Sequence, residues 1–463
     1  MGAAWRRRDH MHGVETAEPL TYRRIAGFWT PLAGTWLMMA VEGPFLTAVI
    51  ARLPGPTENL AAFGVAVAVA FIVESPVIML LSGSTALVRD RSSYVALRRF
   101  AQILNAALTL TMLVLLLPPV YETMTGTLLN LPRDVAELTR GALILLLPWP
   151  GAIGYRRFLQ GTLVRHNMTR RVAYGTVVRL TFMAVGGLLG AFVLELPGAW
   201  VGALGLTAGV VAEALASRAM ARGIVADLLA GRRERAGSEI LTQTAIASFY
   251  FPLATMSILA MALHPLVTFF LGRSRMAIES LAVWPVVLGL AFLFRSLGLS
   301  YQEVTIALMG EHGEHYEKLR NFAAVLAVAV SGGLALIAFT PLAMVWFRSV
   351  SGLPVELAEL ALLPIRIAAL LPALTVLMAF QRALLVSARL TRPLTAATVV
   401  ELGAIAAVLS LGIFGLELIG VVAAIAAVTI GRIAGNAFLV GPCVAAVARL
   451  RRDRATSPAP AAT

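Results

Sequence analysis

Apolar runs of about 20–30 residues, each long enough to cross a bilayer as a helix, alternate along the chain with short breaks rich in arginine, proline and glycine. Twelve such runs fall at about 26–51, 59–87, 94–119, 136–163, 171–194, 198–221, 242–271, 277–308, 318–346, 356–387, 393–413 and 417–447. Pro118–Pro119, Pro197–Gly198 and Leu353–Pro354 mark breaks between them. The pattern predicts an all-α polytopic membrane protein of about 12 transmembrane helices. One connection is longer and charged, so the expected layout is a tail over 1–24, six spans over 25–222, a linker over 223–241, six more spans over 242–447, and a basic, disordered tail over 448–463. The polar first 24 residues lack the apolar core of a cleavable signal and are expected to remain as a tail.

The two sets of six spans are alike. Shifted by 221 positions, FWTPLA at Phe28–Ala33 meets FYFPLA at Phe249–Ala254, and Pro31 falls on Pro252. Pro44 then falls on Pro265, Arg52 on Arg273 and Glu58 on Glu279. A shift of 222 carries the later helices: Pro150 falls on Pro372, Phe158 on Phe380, and Thr176–Val178 on Thr398–Val400. Apolar composition alone gives chance identities, but prolines and arginines coinciding at one spacing do not come from composition. Six spans is an even number, so both copies start from the same side. That is a parallel repeat, the arrangement that places a substrate site between two lobes.

Composition narrows the class. The chain is 59% hydrophobic and 14% charged, with a mean hydropathy of +0.82, against about 45–50% apolar and about 25% charged in soluble domains. This excludes a cytosolic enzyme, a disordered scaffold and a secreted disulfide module. The single Cys443 forms neither an internal bridge nor a thiolate metal site. A net charge of +13 would point to nucleic acid in a soluble protein, but here basic loops orienting membrane helices explain it, and no nucleic-acid partner is expected. With the N-terminus cytoplasmic, the outer loops hold only Arg52, Arg133, Arg140, Arg273, Arg275 and Arg348, and most of the other 32 of the 38 basic residues lie in inner loops and tails. The expectation is a monomeric, multi-pass protein of the cell membrane with both termini cytoplasmic.

Charges inside spans are costly, at least about 2.5–3.5 kcal/mol each at the bilayer centre, and so are expected to face a partner or a cavity. They are Arg156, Arg157, Arg179, Arg295, Arg366, Arg382 and Arg432, with Glu42, Glu74, Glu213, Glu303 and Glu401; Arg382 and Glu303 lie close enough to helix ends to snorkel. By the repeat, Glu74 corresponds to Arg295 and Arg179 to Glu401, so each half carries one acid and one base with the signs exchanged. Two intramembrane pairs are expected, Glu74–Arg179 and Arg295–Glu401, which either stitch each bundle or repartner during transport. Arg366, between Pro364 and Pro372, is the first candidate for substrate, where a proline-broken helix turns a cation towards a cavity. Arg156 and Arg432 follow, then Arg295 and Arg179. Guanidinium forks converging on one cleft favour phosphate or carboxylate ligands. Glu42, beside Gly43–Pro44, is the candidate ion carrier. His312 and His315 in GEHGEHYEK have metal-like spacing but read as a solvated loop, and neither a metal site nor a cofactor is expected. No Walker loop or nucleophile elbow is present, which argues against an ATP-driven pump or an enzyme.

The segments FYFPLATMSI, RRFLQGTLVRHNMT and especially ALLPIRIAALLPALTV resemble the progressive ankylosis protein family, within the multidrug/oligosaccharide-lipid/polysaccharide (MOP) exporter superfamily. The resemblance is spread over about residues 25–445, and the Pro-x-Arg-Ile stretch around Arg366 is its most specific part. It implies the fold of MATE transporters, two six-helix bundles around a central cavity open to one side at a time, and efflux of small anions such as pyrophosphate, nucleotides or citrate-like compounds. The alternative on the same fold is a flippase for a lipid-linked oligosaccharide or other anionic lipid. The major facilitator fold shares the repeat, but VRDRSSYVALRR lacks the glycines of its loop motif.

Overall fold

The computed structural model describes residues 20–166, 168–231, 242–310, 313–388, 390 and 392–456. The described chain is almost wholly helical. In chain order the helices are α1 (Tyr22–Ile50), α2 (Pro56–Leu87), α3 (Arg91–Leu115), α4 (Arg133–Leu145 and Trp149–Arg165), α5 (Thr169–Phe192) and α6 (Gly198–Leu229). The second half follows as α7 (Gln243–Leu271), α8 (Ala277–Leu308), α9 (Tyr316–Ala338), α10 (Val355–Ser387), α11 (Arg392–Gly415) and α12 (Gly420–Thr456).

Among the described residues, 10 helices are long and apolar enough to cross a membrane, or 11 if α3 and its continuation Pro118–Leu128, bent by 75°, form one span. The sequence predicts about 12. The shortfall is α4, which is split into pieces of 13 and 17 residues around Pro148 and Pro150 and carries Arg140, Arg156 and Arg157. Helix α6 continues to Leu229, so the start of the expected linker is helical, while 232–241 lie outside the described residues. Helix α12 runs past residue 447 to Thr456, into the segment expected to be a tail.

The internal repeat is written into the backbone. Thr21 and Thr242, 221 apart, each cap a helix start by accepting from the amide three residues on, Arg24 and Ala245. Pro44 and Pro265 each remove an amide donor and crowd the carbonyl four residues back, and α1 and α7 break at Val41 and Ala262 accordingly. Left-handed residues also recur in pairs: Gly55 with Met276, Asn130 with Gly352, and Glu195 with Glu417. A π-helical turn ends the third and ninth passes alike, at Thr123–Leu128 and Val345–Val350.

The first parts of α1 and α7 cross to the opposite half. Trp29 Nε1 donates to the Leu297 carbonyl at 3.2 Å and to Ser300 Oγ at 2.9 Å on α8. The repeat-related Tyr250 hydroxyl donates to the Pro76 carbonyl on α2. Farther along, α2 and α8 meet directly, with Leu281 and Pro285 closing on Gly64. The two halves thus touch at two levels, and the charged residues lie between them.

Candidate functional site: two buried charge clusters

Close helix contacts set the charges in place. A Cβ on Gly209 would come within 2.8 Å of the Arg179 carbonyl, and one on Gly431 within 2.9 Å of the Glu401 carbonyl. These glycines, related by the repeat, let α6 lie on α5 and α12 on α11 at the level where each of those helices carries its charge.

In the first half, Arg156 on α4 is 4% exposed and donates to Glu213 Oε2 on α6. Gln160, one turn further along α4, donates to Glu213 Oε1 at 2.9 Å. Arg179 on α5 pairs with Glu42, just past the break in α1. Trp149 Nε1 donates to Glu74. Arg157 lies within electrostatic reach of Glu213 and Glu74. Three arginines therefore face three glutamates, and the cluster is balanced.

The second half differs. Arg432 Nη2 on α12 lies 3.0 Å from Glu401 Oε1 on α11. Arg295 on α8 donates through Nε to Thr375 Oγ1 at 3.2 Å and sits in the field of Arg432 and Glu401. Arg382 on α10 feels the same two charges, and no hydrogen bond or ion pair to it is found among the described residues. All three arginines are partly exposed. Among the described residues three arginines share one carboxylate, which leaves two positive charges over. His264 on α7, edge-on to Phe71 of α2 at 5.1 Å, is also within reach of Arg295, so this cluster abuts the seam between the halves.

Among the described residues, neither expected ion pair is found. Glu74 takes the Trp149 indole instead of Arg179, which turns to Glu42, and Glu401 takes Arg432 instead of Arg295. Residue number gives a position along a helix, but the partner is set by which helix lies alongside. Arg156 is committed to Glu213, a pair the sequence reading did not propose. Arg366 is exposed on α10 and donates through Nε to the Ala338 carbonyl at 3.3 Å, at the end of α9; no ion pair joins it to either cluster among the described residues. The proline-linked break it was expected to adjoin is present, at Ala369–Leu370. His312 lies outside the described residues, and His315 Nδ1 sits 2.9 Å from the Leu308 carbonyl.

A second repeat-related device ties the halves at the side away from the termini. Arg52, at the end of α1, donates to the Ser349 and Val350 carbonyls at 2.7 and 2.9 Å. Arg273, at the end of α7, donates to Thr127 and Leu128 carbonyls. Those carbonyls belong to the matching π-helical ends, which lack intrahelical donors. Replacing both arginines by glutamine should loosen this side: in a Cys443→Ser background, a cysteine at Val67 should react several-fold faster with a membrane-impermeant thiol reagent. Unchanged reactivity would mean the arginines are ornaments on a seam held elsewhere.

No family model and no curated protein sequence matches the chain. Solved structures do match in fold. A multidrug resistance MATE family transporter of the MOP superfamily, in its inward-facing conformation, superposes with a TM-score of 0.72 at 14% identity, over 93% of this chain and 99% of that one. An outward-facing conformation of a MATE family transporter of the same superfamily gives 0.61 at 16% identity, over 93% and 97%. The lipid II flippase MurJ, in an inward closed conformation, gives 0.66 at 12% identity, over 93% of each chain. The chain is a multi-pass membrane protein with the fold of the MOP superfamily, and these neighbours are transporters and a flippase, not enzymes.

Proposed function

We propose that the protein is an alternating-access transporter that exports a small anionic solute through a cleft between two lobes, 25–222 and 242–447, and that the anion binds at Arg295, Arg382 and Arg432. The observation that carries this reading is the imbalance of the second cluster: three partly exposed arginines against Glu401 alone. Guanidinium groups are matched to carboxylate and phosphate oxygens, and a surplus of two positive charges within a membrane calls for an anion. The balanced first cluster, Arg156, Arg157 and Arg179 with Glu42, Glu74 and Glu213, serves as the structural counterpart, with Glu42 and Arg179 free to exchange partners. Pyrophosphate, nucleotides and citrate-like compounds, the cargo implied by the progressive ankylosis resemblance, suit such a site. The higher superposition score with an inward-facing MATE structure and the clasps at Arg52 and Arg273 support a state closed on the side away from the termini. With the termini cytoplasmic in the cell membrane, that state opens inward and the working unit is a monomer.

A second reading, a flippase for a lipid-linked oligosaccharide or other anionic lipid, draws on the likeness to the lipid II flippase. Proteoliposomes loaded in turn with labelled pyrophosphate, ADP, citrate and a fluorescent lipid-linked saccharide separate the two. Movement of a soluble anion supports the exporter, and movement of the lipid alone replaces it with the flippase.

A further inference from the structure

A cavity of about 770 Å³ lies between α9, α10 and α12, apart from both charge clusters. Gln381 lines it while its neighbour Arg382 belongs to the second cluster; adjacent residues on a helix point about 100° apart, so the trough and the cluster share α10 but not a face. Along α9 the lining runs from Tyr316 and Arg320 through Ala323 and Ala324 to Ala327. These positions recur every three to four residues, on one side of the helix. The three alanines make the hollow: beyond the Tyr316–Phe380 ring pair, 5.7 Å between centroids, α9 presents only small side chains to α10 and α12.

The trough is apolar along its length and cationic at one end. From Arg452 down to Val440, α12 rises about 18 Å along the trough, roughly half of a hydrocarbon core about 30 Å thick, so the trough is one leaflet deep. Arg320 and Arg452 flank it at the end where α9 begins and α12 finishes, the side of the termini. The Arg320 guanidinium lies 5.9 Å from the centre of the Tyr316 ring and is steadied by Asn321 Oδ1 at 3.1 Å. An apolar channel one leaflet deep below a pair of cations matches a molecule with acyl chains and a negatively charged head.

We infer that this trough is a binding site for one anionic glycerophospholipid of the leaflet on the termini side, its phosphodiester held by Arg320 and Arg452 and its acyl chains lying along Ala323, Ala324 and Ala327. The site is separate from the transport pathway and does not depend on what the protein carries. Charge complementarity selects an anionic head over a zwitterionic one, and the alanine floor admits the chains.

The chain's single cysteine, Cys443, lines the trough and reports on it without engineering. The protein is placed in nanodiscs of phosphatidylcholine alone or with phosphatidylglycerol, and two quantities are read: the phospholipid retained after detergent extraction, by native mass spectrometry, and the rate of Cys443 alkylation by N-ethylmaleimide. Phosphatidylglycerol should be retained at least fivefold over phosphatidylcholine and should slow alkylation several-fold. Arg320→Gln with Arg452→Gln should remove the preference between heads. Ala327→Phe should abolish retention of phosphatidylglycerol while leaving the melting temperature in phosphatidylcholine alone unchanged. Equal retention of the two lipids, persistence of retention in Ala327→Phe, or preferential retention of a polyprenyl phosphate would each overturn the assignment.

Discussion

Replacing Arg156 by methionine should destabilise the fold by about 3–5 kcal/mol, the usual cost of stripping one partner from a buried ion pair. Both members are all but inaccessible, with 5% and 1% of their side chains exposed. Removal of the guanidinium leaves the buried Glu213 carboxylate hydrogen-bonded to the Gln160 amide but without its ion-pair partner. Changing both residues, Arg156→Met with Glu213→Leu, should recover most of the loss, since the pair's net worth against an apolar replacement is small. Thermal unfolding in detergent reads the difference: a large fall in melting temperature for the single variant and a small one for the double. If the double variant fell as far as the sum of the singles, the two groups would not be acting as a pair.

Transport should respond to a different set of residues. Arg295→Gln and Arg382→Gln should each reduce anion flux by about tenfold or more, as expected when a charge-assisted hydrogen bond worth about 1.5–3 kcal/mol is lost from a bound anion. Melting temperature should change little, because neither guanidinium neutralises a buried carboxylate: Arg295 bonds a threonine hydroxyl, and Glu401 is already paired with Arg432. Arg366→Gln should leave flux within about twofold, since its Nε contact is a helix-end carbonyl. Flux in proteoliposomes distinguishes these cases. If Arg366→Gln were the damaging change and Arg295→Gln harmless, the substrate site would lie where the proline-flanked sequence first suggested.

Several of these features were legible in the sequence, and the reason is periodicity. Apolar runs fix helices, and the arginines and prolines at shifts of 221 and 222 fix the repeat, including the equivalence of Arg52 with Arg273 and of Pro44 with Pro265. The matching tripeptides at Leu194–Leu196 and Leu416–Leu418 carried a further signal, since they flank the paired left-handed residues Glu195 and Glu417. Partners were less legible. Residue number gives depth along a span but not which neighbouring helix a side chain meets. Arg179 and Glu74 were expected together on depth, yet α5 presents Arg179 to α1. The Arg156–Glu213 pair left a trace in Arg156 and Gln160, four apart on one face of α4 and both meeting Glu213. The clasps at Arg52 and Arg273 left none, because their acceptors are backbone carbonyls freed by π-helical turns, which any side chain can accompany. The fourth pass misled in the other direction: its apolar residues read as one span, and its prolines divide it.

The proposed transport cycle has the two halves rock against each other around a bound anion. Spin labels at Thr57, on α2, and Glu356, on α10, in a Cys443→Ser background, report the separation of the halves on the side away from the termini by electron–electron resonance in lipid. A single short distance is predicted without anion, and a second, longer population should appear when the transported anion is added. The longer population should dominate in Arg52→Gln with Arg273→Gln. One unchanging distance under all these conditions would contradict the account.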